Sequence, residues 1–325
     1  MTQPWDLKTQ ILQAIKEKGG WANCHAHFDK AFYITKDTLD KSMKFAMEEK
    51  WRMSDDIKLR STSEEIENRI RTGLDILVAQ GCTATMTFVD AYSAVGHKAI
   101  DAAIKVRKEY EGKIQIVIAT QPLDGLLTPE AQKLYEEITA KADIAGGLPS
   151  KDRPRQEENM DVMFSIAKNL NKPIHAHIDQ LNRSDEFDTE KLINATIKHG
   201  YDGRVTAVHA VSISAMPKAY RTEIYKKMAA VGIQVACSPS AMLSQVMFED
   251  SLGPMHNSIA NVPEMLAAGV NVGLGVDNVC DFYLPFVDGD MWIELRMLME
   301  ACRFYDFDKL VDIATVNGKK ILNLK

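Results

Sequence analysis

VNVGLGVD, residues 270–277, is the stretch on which the fold turns. It is apolar and Val-rich without polar alternation, the pattern of a parallel strand buried on both faces, and it ends on a carboxylate, Asp277. Its GLG lacks the GxGxxG spacing, and no such sequence follows the first candidate strand. The run therefore reads as a strand end and not as the phosphate loop of a doubly wound open sheet. Seven similar runs precede it: GWANCHAH (20–27), TATMTFVD (83–90), IQIVIATQ (114–121), DIAGGL (143–148), PIHAHI (173–178), VTAVHAVS (205–212) and QVACSP (234–239). Helical stretches such as SEEIENRIRTGLDILVAQG (63–81) and EENMDVMFSIAKNLN (157–171) lie between them, the first closed by glycine and the second followed by Pro173. Eight strands with intervening helices predict a (β/α)₈ barrel.

No linker, repeat or low-complexity tract divides the chain, so a single domain over 1–325 is expected, with an N-terminal helix in 1–19. The stretch 28–82 is the main insertion. It leaves the end of the first strand, where barrel enzymes build their pockets, and is either a pocket-lining lid or a longer first helix. The net charge of −6 argues against nucleic acid or an anionic membrane as partner. No run of about 18 apolar residues predicts a membrane span. The N-terminus lacks the apolar core of a signal peptide. Five scattered cysteines without a CxxC pair predict neither disulfides nor a cysteine zinc site, and fit a reducing cytoplasm. A homo-oligomer stays open.

His25 and His27 are two apart on a candidate strand, so both rings share one face. His177 ends the fifth candidate strand and Asp277 the eighth, which brings all four to the C-terminal rim of a barrel. Imidazole with carboxylate suits one divalent cation, zinc ahead of iron or manganese, at about 2.0–2.1 Å per nitrogen. His175 lies deeper, as a packed core histidine or a partner behind the ligands. His97, His199 and His256 fall in helix or loop contexts. His209, ending strand six, reads as a residue that orients water or relays a proton, as a fifth ligand, or as core. Lys30 is a candidate for substrate binding or acid catalysis, or a solvated lysine.

The segments CHAHFDKA (24–31), ADIAGGLP (142–149), HAHIDQ (175–180), VHAVS (208–212) and GLGVDNVCDFYLP (273–285) together resemble the amidohydrolase superfamily, in its cytosine-deaminase-like branch. The match runs from Trp21 to Leu324. It implies a single metal held by His25, His27, His177 and Asp277, with water attacking an unsaturated C–N carbon. It also implies that Asp277 doubles as base, that His209 stands beside the attacking water, and that Gln121 contacts the substrate. Strand four ends AGGLP and offers no lysine for the bridging ligand of two-metal relatives.

The deaminases of the branch carry a glutamate where this chain has Gln180, and a carboxamide cannot titrate. HxHxDK with Lys30 is instead similar to the triazine-pathway aminohydrolases of the branch, which release an alkylamine from a hydroxylated triazine. That likeness implies that Lys30 and His209 supply the proton chemistry Gln180 cannot. The expected substrate is a small nitrogen heterocycle. Alternatives are hydrolysis of a cyclic or N-substituted amide, and a non-catalytic binder that keeps the pocket. Asp281 and Tyr283 either contact the ring or pack the loop. The branch also implies strands flanking the barrel in a small β-sandwich, and the sequence predicts a barrel without it.

Overall fold

The computed structural model describes residues 3–42, 47–181, 183–243 and 259–324. Eight strands form the sheet: β1 Trp21–Asn23, β2 Cys82–Asp90, β3 Gln115–Gln121, β4 Ala145–Gly147, β5 Ile174–Ile178, β6 Val205–His209, β7 Gln234–Cys237 and β8 Val272–Leu274. Their order is β3-β2-β1-β8-β7-β6-β5-β4 and every neighbouring pair is parallel. A single parallel bridge, Ala119 to Ile144, brings the two edges together and nearly closes the (β/α)₈ barrel. Among the described residues there is no other sheet.

Apolar strands are required because both faces are covered. The outer face packs on helices through residues such as Ile70, Leu74, Ile100, Ile138, Phe164 and Leu295. A smaller cluster fills the barrel with Ala84, Met86, Phe88, Ala119, Val208 and Ala236, and Ile321 joins it from the last helix. The N-terminal helix spans Leu7–Glu17, capped by Asp6, whose carboxylate accepts from Thr9 N at 3.1 Å.

The expected strand centres hold, and the expected ends hold for β2, β3 and β5, whereas β1, β4, β6, β7 and β8 stop short of theirs. β1 stops at Asn23 and β8 at Leu274, so His25, His27 and Asp277 lie beyond the regular ladder. Strand six likewise stops at His209, and 212–215 form a 3-10 turn. The reason is visible in the backbone. The amides of Val276 and Asp277 both donate to His25 O at 3.0 Å, and Ala26 bridges Asp277. Gly275 packs so tightly there that a Cβ would stand 2.6 Å from His25 Cβ. The two strand ends have curled together over the barrel axis.

The insertion is neither one loop nor one longer helix. It folds as a 3-10 turn at Phe28–Lys30 and helices Lys36–Ser42, Met47–Arg60 and Ser63–Ala79. The last begins with a reciprocal cap between Thr62 and Glu65, which satisfies two amides that a helix start leaves open. Helix 47–60 lies on the C-terminal rim, since Lys58 reaches Asp90 at the end of β2.

Candidate metal centre and its surroundings

Four histidines and one aspartate converge at the rim, all buried. His25 Nε2 lies 3.0 Å and His27 Nε2 3.3 Å from Asp277 Oδ1, and His177 Nε2 is 3.3 Å from His27 Nε2. Ligand-capable atoms of His25, His27 and Asp277 fall within 4.8 Å of one another, and so do those of His25, His177 and His209. Ligands at about 2.1 Å from one tetrahedral centre are roughly 3.4 Å apart, so these separations match a shared cation.

The protonation states agree with that reading. Burial pushes His27 down to about 3 and His177 well below the ordinary histidine value, leaving neutral, ligating rings. Burial alone would raise Asp277, yet His25 and the neighbouring imidazoles hold it well below the usual carboxylate range. His177 Nδ1 is 3.1 Å from Gly147 O. A carbonyl only accepts, so Nδ1 carries the proton and the Nε2 lone pair points to the centre. The Nδ1 atoms of His25, His27 and His209 have no partner among the described residues. The donor set fits a divalent cation.

His209 sits inside this cluster, with Nε2 3.7 Å from Asp277 Oδ2 and its pKa lowered by burial to about 4. Phe88 is the floor, its ring 4.6–5.2 Å from those of His25, His27 and His177. His175 is buried beneath, where Ile321 of the last helix supplies its backbone contact. His97 precedes the helix 98–109 and lies 3.5 Å from Glu137, while His199 meets Asp161 at 2.9 Å, both away from the centre. His256 lies outside the described residues.

Asp179, His209 and Asp277 have φ of 49°, 76° and 63°. Non-glycine residues rarely adopt this left-handed region, and here it falls where three strands end at the centre. The loop carrying Gln180 is fastened beside it. Asp179 accepts from the amides of Asp188 (2.7 Å) and Thr189 (3.0 Å), and Arg153 pairs with Glu186 and, at 2.9 Å, with Asp188. Gln180 itself is half-buried.

Lys30 is not solvated: it is 5% exposed, and Nζ donates to Asp90 Oδ1 at 2.8 Å and Gln121 Oε1 at 2.5 Å. The β2–β3 register explains the triad, because Asp90 and Gln121 are directly paired at the rim. Lys58 reaches the other Asp90 oxygen at 2.7 Å. Burial opposes the charge on Lys30, but Asp90 and Asp29 outweigh it and raise its pKa. Asp281 is fully buried; Oδ1 accepts from the amides of Tyr283 and Leu284, both at 2.8 Å, and Oδ2 from Asn278. Its oxygens are engaged by its own loop. Tyr283, next to it, is partly exposed.

Sequence reasoning passed over Phe88, Asp90 and Lys58. A strand-terminal carboxylate in TATMTFVD was the available signal for Asp90. Lys58 had none, since a lysine in a helix normally faces water.

The sequence model of the Amidohydrolase family matches residues 19–325. An uncharacterized protein of Haemophilus influenzae is 36% identical over 263 residues, covering 80% of this chain and 95% of its own. N-isopropylammelide isopropyl amidohydrolase of Pseudomonas sp. strain ADP is 27% identical, covering 98% of this chain and 79% of its own. Among solved structures, 5-methylcytosine deaminase of Klebsiella pneumoniae superposes with a TM-score of 0.85 at 21% identity, over 93% of this chain and 74% of that one. N-isopropylammelide isopropylaminohydrolase of Burkholderia multivorans does so with a TM-score of 0.77 at 20% identity, over 94% and 74%.

Proposed function

The chain belongs to the amidohydrolase family and is a hydrolase acting on C–N bonds, and from that premise we propose that it releases an amine from an N-alkylated nitrogen heterocycle of the triazine or pyrimidine kind. The observation that carries the proposal is the pairing of two donor triads that share His25, joined by the 3.3 Å approach of His177 to His27, with a buried Lys30 at the same rim. The two relatives named for N-isopropylammelide support the same class of substrate.

His25, His27, His177 and Asp277 would hold one divalent cation, with zinc preferred for this donor set over iron or manganese. Bound there, such a cation supplies Lewis acidity and brings the pKa of water to about 7. Asp277 Oδ2, the oxygen not shared with His25 and His27, accepts the proton that water loses as it adds to the ring carbon. The same proton passes from Asp277 to the leaving nitrogen as the C–N bond breaks, giving a ring hydroxyl and a free amine. His209 Nε2 donates to the oxygen developing on that carbon.

Lys30 stays an ammonium because Asp90 and Asp29 hold its proton. It therefore acts as a fixed hydrogen-bond donor to the ring, with Gln121 oriented beside it, and not as the acid. Gln180, unable to titrate, can only position the ring. Asp281 acts by fixing the loop that carries Tyr283.

The test is amine release from N-alkylated hydroxytriazines by the metal-loaded protein. Asp277→Asn should abolish it, and Gln180→Glu should not accelerate it. Absence of release across the series, or a large gain in Gln180→Glu, would refute this reading, the gain marking an impaired deaminase. Tight ring binding without turnover would point to a binder.

A further inference from the structure

Helix Met47–Arg60 is inverted relative to an ordinary surface helix. The side it buries against the barrel mouth carries Lys50, Ser54 and Lys58, spaced four apart and 8%, 0% and 6% exposed, while Leu59 is 57% exposed to solvent. Burying two ammonium groups on one face is costly unless each meets a counter-charge. Ser54 Oγ meets the Tyr33 hydroxyl at 2.9 Å, and Lys58 meets Asp90 at 2.7 Å. Lys50 makes no hydrogen bond or ion pair to any described residue.

Among the described residues, the one opposite charge acting on Lys50 is Asp281, whose two oxygens already accept three hydrogen bonds within its own loop. Burial accordingly lowers the pKa of this lysine below the ordinary value. The surroundings are polar and ring-lined. Tyr33, edge-on to Phe282 at 4.9 Å, and Tyr283 both lie within the field of Asp281. Position along the helix sets the scale. Eight residues at about 1.5 Å each place Lys50 about 12 Å along the helix from Lys58, a length of mouth that a ring substituent could follow.

We propose that Lys50 is the recognition residue for an anionic oxygen group, carboxylate or phosphate, carried on a substituent of the ring substrate. The inference rests on the amine-release reading and adds a substrate class to it: a nitrogen heterocycle whose side arm ends in an anion. An anionic substituent supplies the direct counter-charge that no described residue offers Lys50.

The experiment compares N-alkylated hydroxytriazines matched in length and ending in carboxylate, phosphonate or carboxamide. The wild-type protein should favour at least one anionic member over the carboxamide by about tenfold or more in kcat/KM, chiefly through KM. The better of the two identifies the anion. In Lys50→Met that ratio should fall to near one, and Lys50→Arg should restore most of it. Free Lys50→Met protein should also melt at a higher temperature than wild type, because an unpaired buried charge has been removed. A wild-type ratio near one, a ratio unmoved by Lys50→Met, or a lower melting temperature in that variant would each overturn the proposal. Lack of turnover from every ring would instead sink the amine-release reading. Calorimetric titration of the same rings would then decide Lys50 alone: tighter binding of an anion, lost in Lys50→Met, upholds it, and equal affinities overturn it.

Discussion

Asp90 holds two buried lysines with one carboxylate, giving Oδ1 to Lys30 and Oδ2 to Lys58. Burial alone would raise its pKa, but the two ammonium groups outweigh that and hold it well below the ordinary aspartate value. The sign follows: its contribution to stability is present above the unfolded value and is lost as pH falls through the lower folded value. Asp90→Asn should cost about 3–5 kcal/mol of unfolding free energy, because it strands both charges. Urea unfolding at neutral pH checks this, and the variant should also lose part of the acid-dependent slope. A loss under about 1 kcal/mol would mean that Asp29 alone can hold the pair. At this scale the metal-binding candidates were legible in the sequence, since a histidine or carboxylate ending an apolar run has few other reasons to be there. Lys50 and Lys58 were not, because only the packing of helix 47–60 shows which of its faces is buried.

Strand ends, more than strands, build the centre. β1 and β8 pair regularly only at Asn23 and Leu274, and beyond them the chain converges through Gly275. A methyl group on Gly275 would meet His25 O at 2.8 Å and N at 2.9 Å, so the two ends would have to part. Gly275→Ala should therefore weaken metal affinity by about 10–100-fold, the range seen when the support behind a ligand is lost. A chelator-competition titration measures it, with circular dichroism as control for the fold. Unchanged affinity would show that His25 tolerates the shift. The periodicity of the sequence located every strand yet ran past most of their ends. Hydrophobicity continues to Asp277 and Ser212, whereas the ladder stops where residues with positive φ turn toward the axis.

For the whole molecule, the barrel supplies position and the insertion supplies charge. Eight strands bring His25, His27, His177, His209 and Asp277 to one rim, and helix 47–60 lays lysines across it. The barrel was legible because its strands are apolar on both faces and recur in order along the chain. The course of 28–82 was not, since a polar face buried at a mouth has the same periodicity as one facing water. No helix among the described residues is long and apolar enough to cross a membrane. The central claim is a single-metal centre. It is tested most directly by elemental analysis of the purified protein alongside the His25→Ala and His177→Ala variants. Close to one equivalent of divalent metal per chain is expected in the wild type, largely lost in both variants, with amine release lost in parallel. Two equivalents per chain, or amine release that persists with the metal gone, would contradict it.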